Sequence, residues 1–386
     1  MKRLTLVALL AAPVLAVGTG AAAAASSDAP QAPLVAGKGQ VVEGEYVVTL
    51  KSGSTGTVTA DASVPRGDVT HEYKNLVKGF SARLDGAELD EIRSDPNVAQ
   101  VEQVTRVSTA DTQPNPPSWG QDRVDQADLP LDTNYTYNTD GAGVTAYVID
   151  TGIEAGHPDF GDRASLAFDA TGGDGVDCNG HGTHVAGTIG GTEHGLAKGV
   201  TLAGVRVLDC QGSGTTDDVV AGMDWVAANA AKPAVANMSL GGGQSAAIDQ
   251  AAANLMSSGV YLAVAAGNES SDACSGSPSG ADGVMTVAAS DDSDTSADFT
   301  NFGSCVEIYA PGVDITSAWI GGGTDTISGT SMATPHVVGV AALYKAANGD
   351  ADEATISEWL TSNAVADKVT GAPAGTPNLL LQTAGL

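Results

Sequence analysis

The chain has 386 residues, 42% apolar but only 4% aromatic, with 49 glycines; it is long for one average domain, and its core must be built from Ala, Val, Leu and Ile around many tight turns. The formal net charge is −29, unevenly placed: 7 Lys+Arg face 33 Asp+Glu from Thr112 onward, against 10 and 13 before it. So acidic a body argues against nucleic acid as a partner, since phosphates would be repelled, and it suits solubility and Ca²⁺ binding through carboxylates.

The first element is not part of a fold. Lys2 and Arg3 form a basic start, residues 4–17 are apolar, and small residues run through Ala25. This reads as a secretory signal peptide over residues 1–25. The apolar run, broken by Pro13, is short for a membrane span, and no later stretch is long and apolar enough, so a secreted protein with no membrane partner is expected. An uncleaved signal anchor is the other reading. Residues 26–40, rich in Ala, Ser, Pro and Gly, read as a linker.

A small α+β unit follows over residues 41–107. Residues 41–42 with 45–50, 75–84 and 98–102 read as strands, and residues 85–93 as a short helix capped by Asp85. Residues 111–118, with three prolines, mark a boundary. From Trp119 onward, strands at 144–149, 202–208, 236–240 and 260–266 alternate with helices at 182–190, 217–231, 246–257 and 333–347. Mostly apolar strands alternating with helices predict an α/β fold, a doubly wound parallel sheet covered on both faces in three layers. All four cysteines, Cys178, Cys210, Cys274 and Cys305, lie in this body. An even number in an exported protein suggests two disulfides with three pairings open. A metal site is the alternative, but none of the four sits in a C-x-x-C pair.

Sites in parallel α/β folds gather at the carboxyl ends of strands. Asp150 follows the strand 144–149 directly, where a buried carboxylate needs a partner; a helix-capping Asp is the plainer reading. His181 opens His-Gly-Thr-His between Gly180 and Gly182, at a helix start. His184 lies three residues on, but the H-E-x-x-H zinc pattern is absent because Gly182 stands where Glu is required, and His184 reads as packing. Ser331, in Gly329-Thr330-Ser331-Met332-Ala333-Thr334-Pro335, is placed at a helix N-terminus, where the dipole favours developing negative charge, or is an ordinary cap. Pro335 is expected in that helix's first turn. Asn268, after Ala266-Gly267, is either an amide donor at a strand end or a turn residue.

Taken together, Asp150-Thr151-Gly152, His181-Gly182-Thr183-His184, Ala266-Gly267-Asn268 and Gly329–Pro335 occur in the Asp…His…Ser order of subtilisin-like proteases. The chain resembles that family over residues 112–386, and within it the proteinase K and aqualysin branch, given Asp177-Cys178-Asn179-Gly180-His181 and Val207-Leu208-Asp209-Cys210. Residues 41–111 resemble the family's inhibitory propeptide. The resemblance implies a serine endopeptidase of broad specificity acting through an acyl-enzyme, monomeric, with protein and peptide substrates and its own propeptide as partners. It implies Ser331 as nucleophile, His181 as general base and Asp150 as its orienting carboxylate. Asn268 and the Ser331 N–H would form the oxyanion hole. Gly212-Ser213-Gly214 and Ser239-Leu240-Gly241, with Ala266 and Gly267, would border the substrate as an added strand. The branch also implies the pairs Cys178–Cys210 and Cys274–Cys305.

Structural Ca²⁺ is the expected cofactor. Asp122, Asp125, Gln126, Asp132 and Asn134 supply oxygens at short spacing in a pattern like a calcium site of this branch. A second candidate is Glu307, where the family pattern usually has Asp, with carbonyls near Asp282 and Val284. Asp169, Asp174 and Asp177 make a third. The rival function is a binding protein on a dead protease fold; such proteins lose a triad member or the oxyanion Asn, and all four residues are present here. A transpeptidase or esterase would use the same acyl-enzyme.

Overall fold

The computed structural model describes residues 31–37, 41–51, 69–105 and 110–386. The expected signal peptide lies outside the described residues, and of the segment between about Val107 and Thr112, where the resemblance to a propeptide followed by a boundary places self-cleavage, residues 107–109 lie outside them too. The chain divides into two compact units, residues 44–102 with the segment before residue 36 in one, and residues 103–386 with 36–43 in the other.

The N-terminal sheet comprises β1 (Leu34–Val35), β2 (Val41–Leu50), β3 (Val69–Tyr73), β4 (Gly79–Arg83) and β5 (Val98–Thr105), in the order β1-β5-β2-β4-β3, with α1 (Gly86–Ser94) between β4 and β5 in sequence. Asp85 caps α1 as expected: its Oδ1 accepts the N–H groups of Ala87 and Glu88 at 2.9 Å, and Glu88 accepts the Asp85 N–H at 2.8 Å. Ile92 of α1 packs with Val48, Phe80, Val98 and Val101 of the sheet in one core. Two expectations are corrected. Leu34–Val35, placed in the linker, run parallel to β5. The strand expected over 75–84 starts only at Gly79, because Leu76 and Val77 sit exposed in the turn joining β3 to β4; their apolarity mimics a strand.

The second unit runs β6 (Asp111–Pro114), α2 (Trp119–Val124), β7 (Asn134–Tyr137), β8 (Thr145–Asp150), β9 (Ala164–Asp169), α3 (His181–Gly190), β10 (Thr201–Arg206), α4 (Thr216–Asn229), β11 (Ala234–Met238), β12 (Gly242–Gly243), α5 (Ala246–Ser257), β13 (Tyr261–Ala265), β14 (Gly276–Ser277), β15 (Met285–Ser290), β16 (Ile308–Pro311), β17 (Ile315–Trp319), β18 (Gly323–Ile327), α6 (Thr330–Asn348), α7 (Glu353–Asn363), β19 (Val365–Ala366) and β20 (Leu379–Leu380). Nine strands form its main sheet in the order β19-β20-β16-β15-β13-β11-β8-β10-β9, parallel except at β19. Residues 111–114, expected as boundary, pair antiparallel with β7; Pro114 ends this short strand, where a missing N–H costs little.

Strand pleating sorts the core. In β8, Ala146 and Val148 join one cluster and Tyr147 and Ile149 the other. The first cluster takes Val185 and Ile189 of α3 with Val337 and Val340 of α6; the second takes Val219 and Met223 of α4 with Leu255 of α5. Helices therefore cover both faces. β15 and β16, which the sequence reading passed over, are buried along their whole length, so they show no polar alternation to mark them.

Candidate active site

The strand order turns at β8: the chain proceeds to β9 and β10 on one side and to β11, β13 and β15 on the other. Such a switch point opens a crevice at the carboxyl ends of the strands, and Asp150 ends β8 there. Alternation puts Asp150 on the face of Ala146 and Val148, the face that α3 and α6 cover. His181 is the first residue of α3 and Ser331 the second of α6. Asp150 and His181, remote in sequence, are thus joined at the carboxyl end of β8, and Ser331 starts the other helix covering that face.

Asp150 is fully buried. Its Oδ1 accepts the Thr151 N–H at 2.7 Å and lies 2.8 Å from His181 Nδ1. Burial pulls the imidazole toward neutrality, but the Asp150 charge, its hydrogen bond and the Asp177 charge together raise His181 above the ordinary histidine value. The His181 side chain keeps 25% of its surface exposed. An imidazole held by a carboxylate on one nitrogen has its other nitrogen available for proton exchange. The close approach of β8 and α3 depends on Gly182, where a Cβ would stand 2.1 Å from the Gly152 carbonyl oxygen. His184 is buried, its Nε2 is 3.0 Å from the Ile315 carbonyl, and burial lowers it to about 4; it packs, as expected.

Ser331 Oγ donates to the Ser239 carbonyl at 3.1 Å. Asn268 Oδ1 accepts both the N–H and the hydroxyl of Thr330, at 2.8 and 2.9 Å. This fixes the amide and turns Nδ2 away from Thr330. A Cβ on Gly329 would lie 3.6 Å from Ser331 N and 3.7 Å from Asn268 Nδ2, so both donors border the same small space. Ser331, Asn268, Ala266 and Gly267 line a cavity of about 450 Å³ whose wall carries Glu269 and Asp272. His181 lines a second cavity with Gly212, Ser213, Gly214 and Ser239, and Leu240 and Gly241 belong to both. Thr330, Thr151 and Glu269 escaped the sequence reading, because hydroxyls and carboxylates next to a motif carry no spacing signal of their own.

Two disulfides are present, Cys178–Cys210 and Cys274–Cys305. The first joins the segment before His181 to the one before Gly212. Asn179 Nδ2 donates to the Cys210 carbonyl across the same junction.

One correction concerns an expected position. Pro335 lies inside α6, at its sixth residue rather than in its first turn. It has no N–H to offer the Ser331 carbonyl four residues back, and Ser239 Oγ donates to that carbonyl instead, at 2.8 Å. At the third calcium candidate, Asp169, Asp174 and Asp177 are engaged by protein donors. Asp177 accepts five hydrogen bonds, Asp169 is turned onto Thr171 and Gly175, and Asp174 onto Val176. Among the described residues no group of three or more His, Cys, Asp or Glu is gathered closely enough to hold a metal ion.

At the first calcium candidate, Asp122 accepts the N–H groups of Asp132 and Thr133, Gln126 Oε1 also accepts from Asp132, and Asp125 accepts from Thr136. Asn134 donates to Asp132. Burial, with the charges of Asp122 and Asp132 adding to it, raises Asp125 to about 6. At the second, Glu307, Asp282 and Val284 line a cavity of about 670 Å³ together with Glu353. Burial raises Glu307 to about 7.

Residues 141–382 match the model of the Subtilase family. The chain belongs to the subtilase family. It is a subtilisin-type serine endopeptidase. Residues 45–110 match Peptidase inhibitor I9, so this subtilase carries an inhibitor domain ahead of its peptidase domain. Over 316 residues, 80% of this chain and 59% of the relative, it is 50% identical to the alkaline serine exoprotease A of Vibrio alginolyticus. It is also 50% identical to the extracellular serine proteinase of a Thermus species, over 81% of this chain and 77% of that one. A solved cold-adapted subtilisin-like serine proteinase, 54% identical, covers 69% of this subtilase and 97% of its own chain with a TM-score of 0.68. No helix among the described residues is long and apolar enough to cross a membrane.

Proposed function

We propose that Ser331 is the nucleophile, His181 the general base and then acid, Asp150 the group that holds the imidazole's tautomer, and Asn268 with the Ser331 N–H the oxyanion donors. The observation that carries this reading is the 2.8 Å hydrogen bond that His181 Nδ1, at the start of α3, donates to Asp150 Oδ1, with Ser331 at the start of α6 on the same sheet face. Ser331 Oγ bonds to the substrate carbonyl carbon while its proton passes to His181 Nε2. The carbonyl oxygen, now negative, is received by Asn268 Nδ2 and Ser331 N. The peptide C–N bond then breaks, His181 gives the proton to the leaving amine, and water releases the acyl group by the same route. Asp150 keeps its charge throughout and steadies the imidazolium.

A substrate strand lies between Gly212-Ser213-Gly214 and Ser239-Leu240-Gly241 in this reading, held largely by backbone hydrogen bonds, which suits broad specificity. Its side chains enter the cavities beside Ser331 and His181. The protein is exported, works as a monomer on proteins and peptides without a membrane partner, and frees itself by cleavage between about Val107 and Thr112. If a Ser331→Ala precursor, made in a host without other proteases, were trimmed at the same site, self-processing would be excluded.

Ca²⁺ is assigned to Asp122, Asp125, Gln126, Asp132 and Asn134, and more weakly to Glu307 with the carbonyls of Asp282 and Val284. The repulsion that Asp122 and Asp132 exert on partly buried Asp125 supports the first site, since a divalent cation would offset it. The test of the function is casein hydrolysis by wild type and Ser331→Ala. Activity is expected only in the wild type, and equal hydrolysis by both would overturn the assignment.

A further inference from the structure

Asp177 is 5% exposed and accepts five hydrogen bonds, and none of its partners is a cation. Oδ1 receives Thr151 Oγ1, Asn179 N and Gly180 N, each at 2.9 Å. Oδ2 receives Thr183 N at 2.9 Å and Thr183 Oγ1 at 2.6 Å. Burying a carboxylate is costly, and only this full set of donors offsets the cost. Thr151 directly follows Asp150, and Thr183 lies two residues after His181.

Each of these hydroxyls has a second bond, and the two bonds cross. Thr151 Oγ1 accepts the Gly182 N–H of α3 at 2.9 Å. Thr183 Oγ1, on α3, accepts the N–H of Glu154, in the turn after β8, at 2.9 Å. A hydroxyl has one proton. Because both protons are committed to Asp177, both oxygens present lone pairs to the backbone of the opposite element. The carboxylate thereby locks the turn carrying Asp150 to the helix start carrying His181. A neutral amide at 177 has one acceptor oxygen and would set its NH₂ against donors on the other side.

We propose that Asp177 is a positioning residue of the Asp150–His181 pair, acting through Thr151 and Thr183. The proposal rests on the reading of His181 as general base. It also explains why an acid belongs here. Four charged or titratable groups bear on the His181 imidazole or its neighbour: Asp150 from β8, Asp177 from the loop before α3, His184 on α3, and Asp325 of β18 acting on His184. The negative charge at 177 favours the imidazolium, so removing it lets His181 act as a base at lower pH.

The test compares the enzyme self-matured from the full-length precursor as wild type, Asp177→Asn, Thr151→Val and Thr151→Ser, measuring kcat, KM and the pH profile of kcat/KM on a chromogenic peptide. Asp177→Asn is expected to lose roughly 10- to 100-fold in kcat with KM changed less than about threefold. Its acid limb should move down by about half a unit or more. Thr151→Val keeps the charge, so it should lower kcat without moving the limb, and Thr151→Ser should restore wild-type kcat. A folded Asp177→Asn enzyme with wild-type kcat and an unmoved limb overturns the proposal, as does a loss confined to KM. If Asp177→Asn does not mature, equal kcat for Thr151→Val and Thr151→Ser overturns it. Wild-type activity that survives Ser331→Ala would instead refute the triad reading.

Discussion

Ser239 and Ser331 are joined by two reciprocal hydrogen bonds: Ser239 Oγ donates to the Ser331 carbonyl at 2.8 Å, and Ser331 Oγ donates to the Ser239 carbonyl at 3.1 Å. The first replaces the helical bond that Pro335 cannot make. The second parks the hydroxyl on the segment bordering both cavities. Ser239→Ala removes the first, together with the hydroxyl's 2.9 Å bond to the Asn237 amide, and leaves the second. It should cost about 1 kcal/mol, read as a Tm lowered by a few degrees in calorimetry, while most turnover survives. An unchanged Tm would mean that the Ser331 carbonyl finds another donor.

Ser331→Ala should abolish turnover and leave a folded, substrate-binding protein. The loss expected is about a million-fold, the size known for the serine of subtilisin itself, with His181→Ala nearly as damaging and Asp150→Ala less so. The measurement is kcat/KM on a chromogenic peptide. Retention of more than about a hundredth of wild-type activity by Ser331→Ala contradicts the mechanism.

Asn268→Ala should lose roughly 100- to 1000-fold through kcat with KM little changed, as for subtilisin's own oxyanion amide, since the amide meets charge only in the transition state. Thr330→Val is the subtler test. It removes the hydroxyl bond to Asn268 Oδ1 but keeps the backbone one, so a smaller kcat loss in the same direction is expected. A Thr330→Val loss equal to that of Asn268→Ala would show that the hydroxyl alone orients the amide.

The main chemistry was legible in the sequence because each triad motif ends a strand or opens a helix, and those positions leave marks: an apolar run before Asp150, glycines around His181, small residues before Ser331. Five of the seven helices among the described residues and most interior strands were legible for the same reason; α2 and α7 were not. What stayed hidden has no local mark. β15 and β16 are buried on both faces and lack alternation. The role of Asp177 was hidden because Thr151, the donor that ties it to the turn after Asp150, lies 26 residues away in sequence, while its other donors, Asn179, Gly180 and Thr183, follow it within six residues. Pro335 looked like a first-turn proline because its compensating donor, Ser239, lies 92 residues away from Ser331 in sequence.

Excess EGTA should lower the Tm, because an ion that binds only the native state stabilises it by RT ln(1 + [L]/Kd), about 2.7 kcal/mol at a hundredfold excess over Kd. Asp125→Asn should blunt the shift. A Tm unmoved by EGTA, with no calcium by elemental analysis, rules the ion out.

Burial raises the Glu353 carboxyl to about 8 from an ordinary 4.5; it accepts the Leu262 N–H at 2.8 Å and the Ser357 hydroxyl at 3.1 Å. Between those two values the native state holds a proton that the unfolded chain has released. Stability from this group is therefore full below about pH 4.5 and is lost as pH rises through about 8. Glu353→Gln should flatten the fall in Tm across that window. A wild-type slope retained in Glu353→Gln would place the proton elsewhere.

The order of Asp150, His181 and Ser331 along the chain has a consequence for how the protein is made. A ribosome delivers the chain in order, and β8 and the start of α3 emerge long before α6 does. On the proposed mechanism, until Thr330–Asn348 has been synthesised and laid against α3, the nascent chain has a base and no nucleophile to activate. It would be chemically silent for most of its own synthesis, with the inhibitor domain, encoded first, already complete when Ser331 arrives.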